Sequence, residues 1–313
     1  MGVEHYINTV SSITKVVINN LWGEATENYV WELQPDVNIL VGTNGSGKSS
    51  FLNLINSLSV DNDGSYYRLF EEKTEVEIYL LDFPEKSFVL SYDSLINNAE
   101  DIVARYHDFD APLELPISAS NIQLLNFLDL DIPLKEGVEY AGQKVKKVVD
   151  IQLYELISKF YAYQSDIALR MVAIYRENGI DRDEKATILY ANIALFEKLV
   201  NELFSETNKK IVLQKGFYFG KNDKKIEPIR LSSGEKHLLI LFLTVLLQDK
   251  QNAILLLDEP EISLHYSWQE KLIEYLRELN PNCQLIIATH SGSIFIEGWA
   301  DKVQHIQNLK LQS

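Results

Sequence analysis

Residues 42–49 read Gly42-Thr43-Asn44-Gly45-Ser46-Gly47-Lys48-Ser49, and the fold turns on this stretch. It matches the phosphate-binding pattern G-x-x-x-x-G-K-[ST]. An apolar strand, Val37-Asn38-Ile39-Leu40-Val41, leads into it, and a helix-like run from Ser50 to Leu58 leads out. Gly42, Gly45 and Gly47 permit turns that a side chain would resist, so successive N–H groups can converge on one polyphosphate. The helix that follows adds the positive end of its dipole. In this reading Lys48 reaches the β- and γ-phosphates and the Ser49 hydroxyl holds Mg²⁺. Asn44, Ser46 and Ser50 complete the phosphate-binding set. A strand, a glycine loop and a helix in that order imply a bound nucleoside triphosphate rather than a glycine turn without ligand.

The chain has 313 residues, 46 % apolar and 24 % charged, which suits one large lobe with an insertion or two small domains. Its net charge of −16 and pI near 4.8 repel nucleic-acid phosphates over most of the surface. Direct nucleic-acid binding by this chain alone is therefore disfavoured, although a local basic face leaves it open. Cys283 is the only cysteine, which rules out an internal disulfide framework and a cysteine-built metal site. The N-terminus lacks a basic-then-apolar signal pattern, and Tyr6 breaks the myristoylation motif that Gly2 begins. The longest apolar run, Leu238 to Leu247, is too short to span a bilayer. A cytoplasmic protein without a membrane partner is expected.

Along the chain, residues 13–21 and 29–41 read as strands, and 76–81 and 87–91 as an antiparallel hairpin. Residues 61–65 read as a turn cluster. From 61 to 110 there are 13 acidic and 4 basic residues, read first as a solvated acidic face and second as a dock for a basic partner. Residues 111–135, with several prolines, read as irregular. From 148 to 205 apolar residues recur at three and four, predicting two helices separated at Asn178-Gly179-Ile180-Asp181. A hairpin follows over 211–219 and 226–231, turned at 220–224. Between 206 and 230 there are seven basic and three acidic residues, a solvated hairpin or a contact for an acidic partner. From 231 to the end, helices and apolar strands alternate, which builds a parallel, helix-covered sheet.

Ile254-Leu255-Leu256-Leu257-Asp258-Glu259-Pro260 is an apolar strand ending in two carboxylates. At the carboxyl edge of a parallel sheet, Asp258 is expected to face the Mg²⁺ beside Ser49. Glu259, one residue on, points elsewhere and is placed to orient or deprotonate an attacking water.

Leu231-Ser232-Ser233-Gly234-Glu235-Lys236 taken alone is a helix N-cap. One helix upstream of the strand at 254, it resembles the Leu-Ser-Gly-Gly-Gln signature of the ATP-binding-cassette superfamily. The resemblance implies that Ser232 and the Gly234 backbone contact the γ-phosphate of ATP held by a second subunit. Ser233 for Gly and Glu235 for Gln are the departures. His290, in Ile286-Ile287-Ala288-Thr289-His290-Ser291, matches the superfamily's switch histidine, and the resemblance assigns it to the γ-phosphate as well. For the glutamine that in the superfamily senses Mg²⁺ and γ-phosphate, Gln123 is the candidate, and an ordinary surface glutamine is the other reading of that residue.

The branch is also legible. The 183 residues (231 − 48) from Lys48 to Leu231 exceed the spacing of transporter ATPase subunits. Glu261-Ile262-Ser263-Leu264-His265 stands where those subunits resemble Thr-Ser-Ala-Leu-Asp, so His265 replaces a dimer-contacting aspartate. This form resembles the SMC-like and OLD-type ATPases of DNA repair and anti-phage defence. With only 23 residues after His290, the nuclease domain that OLD-type proteins append is not expected in this sequence.

The resemblance implies an α/β fold: a mixed or parallel sheet with flanking helices, an antiparallel β subdomain and a helical insertion. The expected segments are 1–115, 116–230 and 231–313. It further implies ATP and Mg²⁺ as cofactors and a homodimer closing around two ATP molecules. Glu259, Lys48 and His290 would carry the chemistry, and the switch would control a separate effector such as a nuclease or toxin. An ATP-dependent scaffold with negligible turnover is the competing class, and a transporter ATPase subunit is a weaker third.

Overall fold

The structure, a computed structural model, describes residues 10–56, 74–81, 87–91, 105–106, 121–127, 133–140, 143–176, 181–214 and 216–311. The turn cluster at 61–65, most of the acidic stretch 61–110 and the break at 178–180 lie outside the described residues. The chain divides into two compact units, each assembled from separated pieces of sequence. One comprises 1–126, 252–260 and 282–313; the other comprises 127–251 and 261–281. The expected segments 1–115, 116–230 and 231–313 follow chain order, whereas the units interleave along it.

The first unit contains two sheets. Strands β1 (Ile13–Asn19), β2 (Tyr29–Glu32), β4 (Glu75–Leu80), β5 (Ser87–Ser91) and β6 (Arg105–Tyr106) form an antiparallel sheet in the order β2-β1-β4-β5-β6. Strands β3 (Val37–Val41), β7 (Ile122–Asn126), β13 (Ala253–Asp258), β14 (Cys283–Thr289) and β15 (Val303–His305) form a parallel sheet in the order β15-β3-β14-β13-β7. The strand expected over 29–41 is thus two strands, β2 and β3, interrupted around Pro35 and assigned to different sheets. Proline has no N–H to donate to a ladder, so a break there is its natural place.

β3, β13 and β14 are buried along their whole length, as continuous apolar runs in a parallel sheet should be. Helix α1 (Lys48–Asn56) packs its apolar face into a core drawn from both sheets, with Phe51, Leu52, Leu54 and Ile55 fully enclosed. Phe51 meets Tyr29 and Trp31 edge-on, with centroids 5.1 and 6.5 Å apart. Gln284 on β14, also fully buried, accepts from the Ile13 N–H (2.8 Å) and donates to the Ile13 and Gln34 carbonyls (2.8 and 2.7 Å). The amide thereby satisfies backbone groups where the two sheets meet.

The segment read as irregular, 111–135, contains β7, which pairs in parallel with β13. Its five residues, Ile-Gln-Leu-Leu-Asn, have no clean alternation; the ladder from β13 makes them a strand. The second unit begins near this point and holds the hairpin β8 (Pro133–Tyr140) and β9 (Gln143–Lys147), which the sequence reading also missed. Helices α2 (Val148–Arg176) and α3 (Arg182–Phe204) occupy the predicted helical span.

The expected hairpin over 211–231 is instead three short antiparallel strands, β10 (Lys210–Val212), β11 (Tyr218–Lys221) and β12 (Lys224–Ile226). Asn222 and Asp223, both with positive φ, turn β11 into β12. Phe204 stacks between Phe219 and Trp268 at 4.8 and 5.8 Å, and Phe160 meets Phe196 and Phe217 at 6.0 and 5.3 Å. Helix α4 (Ser233–Leu247) is buried at every position from Gly234 to Leu246, as a helix apolar all round must be. Helix α5 (Tyr266–Leu279) is amphipathic; beyond its end the Asn280 amide donates to Gln248 Oε1 and the Gln251 carbonyl, both at 2.9 Å.

Candidate functional site

The parallel sheet brings three of the candidate residues to its carboxyl edge, beside the phosphate loop. Val41 opens onto that loop, Asp258 ends β13 with Glu259 next in the chain, and His290 follows β14. Register brings these ends level: Val41 pairs with Thr289, and Asp258 with Ala288. The phosphate loop has the backbone its glycines foretell, with φ of +75° at Gly45 and +100° at Gly47. At Gly45 an added Cβ would meet nothing within 4 Å, so the positive φ and not crowding is what favours glycine there. Phe51 N–H bonds to the Gly47 carbonyl (3.0 Å), so helical bonding begins inside the loop and the first N–H groups of α1 face the same space.

Lys48 is 4 % exposed. Its ammonium donates to the Gly42 and Thr43 carbonyls (3.1 and 3.3 Å) and lies 3.3 Å from both ring nitrogens of His290. The imidazole also approaches the Gly42 carbonyl through Nδ1 at 3.0 Å, and its Nε2 contacts the Glu259 carboxylate. Lys48, His290 and Glu259 therefore form one continuous polar chain across the loop, although 242 residues separate the first two. Glu259 has a left-handed backbone, φ +52°, and its N–H bonds to the Ala288 carbonyl at 2.8 Å. From that turn its carboxylate meets His290, while Asp258 is 1 % exposed at the strand end. On either side of His290, the Thr289 hydroxyl accepts the Ser291 N–H at 2.9 Å.

Gln123 does not share this edge. It lies mid-strand opposite Leu255, exposed, three residues before Asn126, which pairs with Asp258. The side-chain amide at the carboxyl edge of β7 is therefore that of Asn126. Sequence reading missed it because β7 itself was missed; the rule that found Asp258, the last residue of a strand beside the loop, would have found Asn126 too. Among the described residues, no three His, Cys, Asp or Glu side chains gather to hold a metal by themselves. For a cation such as Mg²⁺, the residues that could serve are the Ser49 hydroxyl, in the first turn of α1, and the Asp258 carboxylate, at the end of β13. Such a set suits a hard cation that keeps several waters.

The signature stretch belongs to the second unit. Ser232 caps α4: its hydroxyl accepts the Glu235 N–H (3.3 Å) while the Glu235 carboxylate accepts the Ser232 N–H (3.0 Å), a reciprocal capping box. Glu235 is buried and also accepts from Thr207 (2.9 Å) and Lys209. Lys147 reaches Ser233 at 3.3 Å, and Lys236 pairs with Asp150 at 2.7 Å. Gly234 has its own reason to be glycine, because a Cβ there would stand 2.0 Å from the Ser263 carbonyl oxygen. Ser263, at φ +64°, lies in the Glu261-Ile262-Ser263-Leu264-His265 segment, so signature and segment are fitted backbone to backbone. His265, exposed, precedes α5 with its Nδ1 2.9 Å from Ser267 Oγ.

Burial alone would raise the Glu235 carboxyl, but bonds from Lys209, the Ser232 amide and Thr207 outweigh it and hold it below its ordinary 4.5. A lowered folded-state pKa contributes stability that is complete above the unfolded value and is lost as pH falls through the folded one. Urea midpoints measured from pH 6 down to pH 3 should therefore fall more steeply below 4.5 in the wild type than in Glu235→Gln. Parallel curves would remove Glu235 from this role.

Comparison with known proteins bears on family and fold. Residues 37–297 match the family described as "AAA domain, putative AbiEii toxin, Type IV TA system". The retron Vc95 probable ATPase of Vibrio cholerae serotype O1 biovar El Tor is 22 % identical over 266 residues, 77 % of this chain and 51 % of that protein. The retron Ec83 probable ATPase of Escherichia coli is 35 % identical over 85 residues, 24 % of this chain and 16 % of that protein. The chain thus spans about half the length of the first relative and less of the second. The SMC head domain of Pyrococcus furiosus, solved bound to the C-terminal domain of ScpA, superposes with a TM-score of 0.52 at 15 % identity, covering 91 % of each chain. That of Thermotoga maritima gives 0.51 at 16 % identity, covering 94 % of each. The chain thus has the fold of SMC head domains, and it belongs to the AAA-domain family whose model it matches over residues 37–297.

Proposed function

We propose that this chain binds Mg²⁺-ATP in the loop 42–49 and hydrolyses it, and that the hydrolytic cycle switches a two-fold dimer. The observation that carries the reading is the chain of contacts from Lys48 through His290 to Glu259 at the carboxyl edge of the sheet. The backbone donors of Gly42–Ser50, with the Asn44, Ser46 and Ser49 hydroxyl or amide groups beside them, bind the triphosphate, and Lys48 neutralises its β and γ oxygens. Ser49 and Asp258 hold Mg²⁺, with the Asn126 amide beside them; the ion supplies further neutralisation of phosphate charge. Glu259 orients a water and takes its proton, while His290 fixes the carboxylate and faces the γ-phosphate.

The N-terminus of α4, capped by Ser232 and carrying Gly234, closes over the γ-phosphate of ATP held by a second copy. Loss of that phosphate removes the bridge, and the dimer opens. The effector is a separate protein such as a nuclease or toxin, in anti-phage defence or DNA maintenance. The retron ATPases among the relatives and the SMC head solved with ScpA support a partner-controlling role. Among the described residues no helix is long and apolar enough to cross a membrane. The competing reading is a scaffold that binds ATP with negligible turnover. Steady-state phosphate release by the purified chain tests the choice: sustained release that requires Mg²⁺ is expected, and binding without release would favour the scaffold.

A further inference from the structure

His237 stands at the head of the apolar body of helix α4, in its second turn and directly before the run Leu238 to Leu243. It is fully buried. A buried polar group lowers stability unless it is hydrogen-bonded. The imidazole meets that condition through Nδ1, 3.2 Å from the Ile262 carbonyl oxygen. A carbonyl can only accept, so Nδ1 carries the proton and the ring is the donor. The ring also meets Phe127, with centroids 5.3 Å apart and planes at 63°.

What this bond holds is the segment Glu261-Ile262-Ser263-Leu264-His265, whose carbonyls are engaged one after another. That of Glu261 accepts the Leu264 N–H (2.9 Å), and that of Ile262 accepts from His237. The Leu264 carbonyl accepts the Gln269 amide (3.0 Å), and the His265 carbonyl accepts the N–H groups of Trp268 and Gln269 (3.0 and 3.2 Å). The Ser263 carbonyl stands against Gly234, where a Cβ would come within 2.0 Å. Gly234 and His237 are three residues apart and so share a face of α4. The segment is therefore fixed to the signature helix at two points one turn apart, and all of these groups belong to the second unit. The chain enters the segment from Glu259 through Pro260 alone.

We propose that His237 is a positioning residue for ATP turnover: its bond to Ile262 makes the signature cap and the segment that follows Glu259 move as one piece. The inference rests on the hydrolytic reading above and deepens it, because control of turnover falls to a side chain too enclosed to touch nucleotide. With the bond in place, the chain after Glu259 has one resting position on α4. Without it, the close approach at Gly234 remains, but Ser263 is held in its left-handed backbone (φ +64°) by less, and that region is costly for serine.

Phosphate release by the full chain over a range of Mg²⁺-ATP concentrations, set beside urea midpoints, tests this role. His237→Phe keeps a ring beside Phe127 and removes the donor; kcat should fall about tenfold, the order expected for one lost hydrogen bond, while KM holds. His237→Asn carries an amide N–H where Nδ1 stood and should recover most of the turnover. Turnover should follow the donor and not the stability: asparagine leaves a void beside Phe127, so its urea midpoint should fall well below the wild type while its kcat does not. If His237→Phe does not fold, Gln269→Leu decides, since it removes the other side-chain donor to the segment from a half-buried site and should lower kcat in the same way. The inference is overturned if kcat follows the urea midpoints, if KM rises in step with the fall in kcat, or if the folded donor-less variant releases phosphate as the wild type does. A wild-type chain that releases no phosphate would instead bring down the hydrolytic reading, and this inference with it.

Discussion

Glu259→Gln should bind ATP as the wild type does and fail to turn it over. The amide has nearly the carboxylate's shape, so it can still meet His290 Nε2 from the same left-handed turn after Asp258. It cannot take a proton from water. General-base catalysis contributes about 10²–10⁴-fold to rate, so phosphate release should fall by that order while nucleotide affinity holds. The substitution leaves Lys48, the loop and Asp258 untouched, which makes a binding defect the wrong result as surely as unchanged turnover would be. Should turnover persist, the water is handled by another group, and Glu259 serves only to fix His290.

Lys48→Ala should lose ATP binding itself. The ammonium is nearly buried and is held by the Gly42 and Thr43 carbonyls beside His290, so its charge is already in place when phosphate arrives. Hydrogen bonds to charged partners contribute about 1.5–3 kcal/mol each, so loss of even one phosphate contact weakens binding roughly ten- to hundredfold. The variant also leaves two loop carbonyls without this donor, which loosens the loop that the backbone amides depend on. Titration with a fluorescent ATP analogue measures the loss. Wild-type affinity in Lys48→Ala would move the phosphate site away from this loop.

These effects rest on elements whose sequence signals are local. The glycine pattern dictates positive φ at Gly45 and Gly47, and the apolar runs before Gly42 and Asp258 dictate buried parallel strands. Helix α4 shows in its Ser-x-x-Glu cap followed by unbroken apolar residues, and α5 in its periodicity. What sequence reading missed depends on partners distant in the chain. Residues 122–126 become a strand because β13 offers a ladder, so the amide level with Asp258 is Asn126 and not Gln123. Glu235 reads as a variant signature residue, yet Lys209 and Thr207 are what make it a buried clamp. Gly234 owes its identity to the Ser263 carbonyl, 29 residues further along the chain.

The signature cap matters to function only if it meets nucleotide across a two-fold interface, as an isologous dimer would arrange it. Glu259→Gln is the background in which that contact should persist. Sedimentation velocity of Glu259→Gln, with and without Mg²⁺-ATP, measures it directly. A monomer without nucleotide should become a dimer with it, and Ser232→Arg in the same background should abolish the dimer while ATP remains bound. An ATP-loaded Glu259→Gln that stays monomeric, or a dimer indifferent to Ser232→Arg, would contradict the account.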